Sequence, residues 1–179
     1  MTEKVKIQQQ LSKLATHDDL TKLPNRTLLH ELIIQSSLNS QRSQRSPTIL
    51  LLDVNSFKRI NDTYGRNAED EVICEIAKRL SKTLYPKDVI ARINGAEFCI
   101  LVELSDPKYG AIAVARKILS CFEAAYTPDK QQLMVTASIG KHDTLKVQMP
   151  LKSYYEKPRQ QFLILKHKKR MSISFSNNV

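Results

Sequence analysis

The chain has no apolar run approaching the roughly 20 residues that a membrane-spanning helix needs, so no span is expected anywhere in its 179 residues. Cysteine is sparse: Cys74, Cys99 and Cys121 lie far apart, each in an apolar setting. That spacing excludes a disulfide framework or a metal knuckle and fits buried, reduced thiols in a cytoplasmic protein. The stretch from Met1 to Gln10 is polar and charged, which excludes a signal peptide. Acids are scarce at the far end. Residues 141–179 hold nine of the 28 Lys and Arg but only two of the 18 Asp and Glu, so most of the +10 net charge sits there. A basic tail suits nucleic acid or anionic lipid. No nucleic-acid-binding motif accompanies it, so no specific nucleic-acid partner is expected.

What is present is globular. Apolar residues make up 41% and charged residues 26%, values of a packed chain whose length suits one domain with a short extension. Glu3 to Ala15 reads as a short helix, with Ile7, Leu11 and Leu14 on one face. A polar turn follows, His17 to Arg26, and a second helix from Thr27 to Leu38. Asn39 to Pro47 reads as a polar linker. Thr48 to Val54 is an apolar run that predicts a buried strand. A helix opens at Glu69-Asp70-Glu71, where acids suit the positive end of the helix dipole, and it ends by Pro86. Two β-rich runs flank Asn94-Gly95, a strong hairpin signal. Tyr109 to Tyr126 predicts another helix, and Leu133 to Ile139 a last core strand closed by Gly140.

The last six elements run β-α-β-β-α-β. That order predicts an α+β, ferredoxin-like core with its helices on one face of an antiparallel sheet. The first strand is expected beside the hairpin's leading strand. Asp53 ends that first strand, where an acid is costly to bury alone and should face a cleft, a cation or a donor. Lys58 follows in reach of an anion at the same strand end. The plainer reading is a strand-end acid followed by an ordinary turn. The sheet order brings Asp53 and Glu97 toward one cleft.

Four blocks then resemble the GGDEF domain, the diguanylate cyclase family. They are D-D-L-T-K-L-P-N-R from Asp18 to Arg26, D-V-N-S-F-K-R-I-N-D from Asp53 to Asp62, R-I-N-G-A-E-F from Arg92 to Phe98, and T-A-S-I-G from Thr136 to Gly140. The resemblance implies a fold related to a polymerase palm. It also implies a reaction in which two GTP molecules, one on each domain of a homodimer, condense to cyclic di-GMP with two divalent metals, Mg²⁺ or Mn²⁺. By position, Asp53 matches the first metal carboxylate and Glu97 the invariant catalytic acid of the signature. Lys58 matches the triphosphate-contacting lysine, Asn61 and Asp70 the pair that reads the guanine edge, and Gly95 the close backbone approach to the nucleotide. Against these stand a surface Lys, a turn Asn, a helix-opening acid and a hairpin Gly.

The chain also departs from that pattern. Ala96 stands where the family carries a metal-binding Asp or Glu, and a methyl group cannot ligate a hard cation. Losing about 4 kcal/mol of metal stabilisation slows a reaction about a thousandfold. Asn55, Asn94, Arg66 and Glu69 also depart from the usual residues. The family's inhibitory R-x-x-D reads Tyr85-Pro86-Lys87-Asp88, and tyrosine lacks the guanidinium fork. After Gly140 the family ending is not legible. Lys169 to Asn178 can be encoded so that a neighbouring frame reads K-N-E-Y-Q-F-F-K-Q, like that ending, which suggests a reading-frame change. The expected division is a helical lead-in at 1–14, a GGDEF-like domain at 15–141, and a divergent basic tail at 142–179, unstructured or a makeshift helix. The expected function is a domain of cyclic-di-GMP signalling with a weakened metal site and little or no catalysis. The alternatives are an active diguanylate cyclase, a non-enzymatic module that binds GTP or dimerises, and the remnant of a decayed gene.

Overall fold

The computed structural model describes residue 13 and residues 15–43, 45–143, 163–166 and 172–175. Most of the expected Glu3 to Ala15 helix lies outside these residues. The described elements are α1 (Arg26–Ser43), β1 (Ser46–Val54), α2 (Phe57–Thr83), β2 (Val89–Asn94), β3 (Glu97–Leu104), α3 (Tyr109–Ser120), a short 3-10 turn (Pro128–Lys130), β4 (Ala137–Asp143), β5 (Leu163–Lys166) and β6 (Ser172–Phe175). The described strands form one sheet in the order β2-β3-β1-β4-β5-β6. Every pairing is antiparallel. Its first four strands, with α2 and α3, are the expected β-α-β-β-α-β core.

β1 is buried on both faces, which is why it reads as an unbroken apolar run and not as an alternating one. Leu50, Leu52 and Val54 join Phe98, Ile100 and Val102 of β3 in the larger core, under Val72, Ile73, Ile76 and Leu80 of α2 and Ala111, Ala115 and Ile118 of α3. Ile49 turns the other way, with Ala91, Cys99 and Leu101, and is covered by Leu29 and Ile33 of α1. α1 thus takes the sheet face opposite α2 and α3. Its start is fixed by Asn25, whose Oδ1 accepts from the N–H groups of Thr27 (3.0 Å) and Leu28 (3.2 Å), an N-cap. Burial pushes the Cys99 thiol up to about 12, so it remains a protonated apolar filler.

Several expectations are corrected. β1 pairs with β3, the trailing strand of the hairpin, and not with the leading one. α1 continues to Ser43 through most of the expected linker, because no Gly or Pro interrupts that stretch even though its apolar period has ended. α2 begins at Phe57 and not at Glu69; the polar Asn61-Asp62 pair is helical, and the break falls at Gly65 (φ 82°, ψ 172°). That backbone region is nearly closed to residues with a Cβ. α3 ends at Ser120, and Tyr126 instead bridges Leu133. β4 begins at Ala137 and passes through Gly140. In the tail, residues 163–166 and 172–175 are strands and not helix, and β5 extends the sheet beyond β4.

The exit from α3 is held by Arg79 of α2. Its Nη1 donates to the carbonyls of Cys121 (3.0 Å) and Ala124 (2.7 Å), and its Nη2 to that of Ala125 (2.8 Å). The guanidinium lies 3.9 Å from the centroid of the Tyr126 ring, a cation–π contact. The Tyr126 hydroxyl donates to the Cys121 carbonyl at 3.0 Å, and burial holds its pKa above the ordinary phenol range. These carbonyls follow a helix C-terminus, where orphan acceptors and the dipole both favour a cation. Arg79→Ala is expected to cost about 3 kcal/mol in urea unfolding, the order expected for charged hydrogen bonds lost together. Arg79→Lys should recover only part of it, since an ammonium cannot fork across three carbonyls.

Candidate functional site

Of the residues singled out by sequence, Asp53, Glu97 and Gly95 lie at or beside the C-terminal end of β1, whereas Lys58, Asn61 and Asp70 lie along α2. Asp53 stands opposite Glu97 of β3 on one side and Ser138 of β4 on the other. Directly opposed residues in an antiparallel pair share a face, with Cβ atoms roughly 5 Å apart. The structure therefore brings Asp53 and Glu97 together, on the α1 face of the sheet. Asp53 is exposed and Glu97 half-buried. Like charges so placed repel one another unless a cation or hydrogen-bond donors compensate them.

The turn beside them is Gly95–Ala96, not Asn94–Gly95: Asn94 is still paired with Glu97, and the register shifts between Arg92 and Asn94. Gly95 has φ 43°, a conformation that favours glycine. A Cβ there would meet nothing within 4 Å, so the requirement is conformational and not one of space. Ala96 packs into the larger core at 9% exposure. Its carbonyl accepts from the Val54 N–H at 3.3 Å, which closes the turn against the end of β1.

Two supports hold this corner. In the first, Nε of Arg92 donates to the Gly95 carbonyl at 2.9 Å while Nη1 donates to both carboxylate oxygens of Asp18, at 3.0 and 3.2 Å. Asp18 also accepts from the Thr21 N–H (2.8 Å) and hydroxyl (2.7 Å). The Arg92 N–H donates to the Pro24 carbonyl at 3.0 Å. The Asp18-to-Arg26 motif is thus a folded turn strapped to the signature hairpin. Burial alone raises the pKa of Asp18, but the hydrogen bonds from Thr21 and Arg92 outweigh it and hold the carboxyl below its ordinary value.

In the second support, Asn55 ties the end of β1 to β4. Its N–H donates to the Thr136 carbonyl (2.8 Å) and its Nδ2 to the Thr136 hydroxyl (3.1 Å). Its Oδ1 accepts from the Ser138 hydroxyl (2.8 Å). Ser56 follows with φ 54°, and α2 starts at Phe57. Lys58 is exposed in the first turn of α2. Asn61 is exposed before the Gly65 break, and Asp70 is half-buried beyond it.

Neither support was assigned a role from sequence. Asp18 and Arg92 stand in recognisable motifs, but they are 74 positions apart and nothing local pairs them. Hard cations require several oxygen ligands. Asp53 and Glu97 supply carboxylates, Ala96 supplies none, and the Asn55 amide is engaged by β4. Among the described residues, no group of three His, Cys, Asp or Glu side chains is disposed to hold a metal. At the Tyr85-Pro86-Lys87-Asp88 tetrad, Asp88 accepts from the Tyr85 N–H at 3.0 Å, and the exposed Tyr85 ring lies 4.3 Å from Nζ of Lys117.

Residues 15–172 match the diguanylate cyclase GGDEF domain. The chain is 34% identical over 139 residues to the bifunctional diguanylate cyclase/cyclic di-GMP phosphodiesterase MucR of Pseudomonas aeruginosa, covering 78% of this chain and 20% of that protein. It is 30% identical over 130 residues to the probable diguanylate cyclase DgcC of Escherichia coli K12, covering 73% of this chain and 35% of that protein. It thus spans about a fifth to a third of the length of these relatives. Its fold superposes on the GGDEF domain of YfiN (TpbB) from Pseudomonas aeruginosa with a TM-score of 0.67 at 29% identity, covering 70% of this chain and 73% of that one. No helix among the described residues is long and apolar enough to cross a membrane.

The lowered pKa of Asp18 has a signed consequence. A carboxyl depressed on folding contributes stability above its unfolded pKa, about 3.9, and loses it as pH falls through the lower folded value. Between pH 7 and about pH 2.5, the native chain should therefore lose more stability in urea titrations than Asp18→Asn does. Equal losses would mean that the Asp18–Arg92 strap is not formed in solution.

Proposed function

Since this chain belongs to the GGDEF domain family of cyclic-di-GMP signalling, we propose that it is a cytoplasmic, nucleotide-binding member with weak or no cyclase activity. The observation that carries this reading is Ala96, a core-packed methyl group at the turn next to the Asp53–Glu97 pair. GTP is the proposed ligand, with the guanine edge read by Asn61 and Asp70, the triphosphate met by Lys58, and the backbone at Gly95 close to the nucleotide. Asp53 and Glu97 are the carboxylates left to serve Mg²⁺ or Mn²⁺, and the shortfall of donors weakens that site. The proposed domain runs over 15–141, after a lead-in at 1–14 and before a basic tail whose sequence reflects a reading-frame change. Codons that cannot yield the family ending in a neighbouring frame would dispose of that last idea.

The reading as a working cyclase, acting as a homodimer, is favoured by one observation: the two remaining acids stand in register across β1 and β3. A module that binds GTP or dimerises without turnover keeps the same scaffold and needs no metal pair.

Incubation with GTP and Mg²⁺ or Mn²⁺, following cyclic di-GMP, separates these readings. The native chain is expected to form little or none, and Ala96→Asp to raise the rate by up to about a thousandfold. A native rate close to that of the substituted chain favours the working cyclase. Titrated GTP binding without turnover supports the nucleotide-binding reading, and no binding leaves the interaction module or the remnant of a decayed gene. Added cyclic di-GMP should leave the Ala96→Asp rate unchanged, because Tyr85 replaces the arginine of the inhibitory motif. Inhibition by product would overturn that expectation.

A further inference from the structure

Asn55 occupies a position where the family often carries an acid, so its amide reads at first as a lost metal ligand. The geometry points elsewhere. A carboxamide offers one acceptor and one donor group, and here both are taken from one direction. Ser138 donates to Oδ1 at 2.8 Å, Nδ2 donates to the Thr136 hydroxyl at 3.1 Å, and the backbone N–H of Asn55 donates to the Thr136 carbonyl at 2.8 Å. All three bonds run to the β4 side of β1, whereas Glu97 lies on the β3 side. The residue after Asn55 is a serine in the left-handed region (φ 54°) that makes no side-chain cap bond to α2. Left-handed backbone is unfavourable for a residue with a Cβ and persists only where its surroundings impose it. The grip on Asn55 constrains this turn from the β4 side, while the Arg59 N–H on the Ser56 carbonyl (3.0 Å) and the packing of Phe57 constrain it from the helix side.

We infer that Asn55 is a positioning residue: its amide, held by Thr136 and Ser138, fixes the Asn55–Ser56 turn and so sets where Lys58 meets the triphosphate end of a bound nucleotide. This rests on the nucleotide-binding reading above. The guanine end, assigned to Asn61 and Asp70 farther along α2, should be indifferent to it. Asn55→Asp would keep the grip, since the Ser138 and Thr136 hydroxyls can both donate to a carboxylate.

The test is calorimetric titration of the full chain with GTP and, separately, with guanosine, with Mn²⁺ titrated alone and thermal unfolding run alongside. Asn55→Ala is expected to weaken GTP binding about tenfold or more while leaving guanosine affinity within about twofold. Ser138→Ala should move GTP in the same direction by less, and it carries the test if Asn55→Ala does not fold. Asn55→Asp should hold GTP affinity within about threefold and leave Mn²⁺ affinity unchanged. Equal weakening of GTP and guanosine overturns the inference, because a merely structural role predicts it. So does a gain in Mn²⁺ affinity in Asn55→Asp, which would mark a lost ligand. If the native chain binds GTP and neither Asn55→Ala nor Ser138→Ala alters it, this inference alone fails. If the native chain binds no GTP, the nucleotide-binding reading fails with it.

Discussion

The register of β1 between β3 and β4 constrains everything described at this corner. Asp53 faces Glu97 and Ser138 only because Leu52 pairs with Phe98 and Ile139, and Leu50 with Ile100 and Lys141. A slip of one residue would send Leu50, Leu52 and Val54 to the wrong face and take the carboxylates out of opposition. The larger core forbids that slip, since those side chains are almost wholly buried among Phe98, Ile73 and Ile76. Burial of several large aliphatic groups, each worth about 1.5–3 kcal/mol, far exceeds the repulsion between two acids at a strand end. Packing, and not the acids, thus sets the register.

Two hydrogen-bonded supports stand around the Asp53–Glu97 pair. Asp18, Arg92 and the Gly95 carbonyl secure the β2–β3 turn from one side. Thr136, Ser138 and Asn55 secure the β1–α2 turn from the other. These are half-buried polar residues that no core requires, yet their hydrogen bonds close. In the proposed function these supports would hold the corner in shape for an anionic ligand, while Ala96 would offer its counter-ion no oxygen, which is why binding and turnover are separated there.

Much of this was legible in sequence, and for identifiable reasons. The order of strands and helices followed from apolar periodicity, and Asp53 and Glu97 from an acid closing an apolar run and a signature beside a hairpin. The errors arose where a local signal carried less weight than a distant one. Asn61-Asp62 looks like a turn but lies within α2, because tertiary packing of Ile60 and Phe57 outweighs the weak helix propensity of polar residues. Asn94-Gly95 looks like a two-residue loop, but the bend moved to Gly95–Ala96 because β3 begins at Glu97 and a register shift precedes Asn94. The Asp18–Arg92 strap could not be read, since nothing local couples residues so far apart in the chain. The strands at 163–166 and 172–175 were missed although Leu163-Ile164-Leu165 is a short apolar run and Ser172-Ile173-Ser174-Phe175 alternates polar with apolar, because the prolines and the basic run of the tail carried more weight.

The sheet's two faces are covered unequally. α2 and α3 share the broad layer over Leu50, Leu52 and Phe98, whereas among the described residues α1 is the helix over Ile49, Ala91, Cys99 and Leu101. A layer of one helix has less apolar area to lose on opening than a layer of two. Cys99 lies beneath that lid, closed off from solvent while α1 is seated. The thiol is thus a built-in witness to peeling of α1, and it stays silent as long as the domain breathes only at its rim.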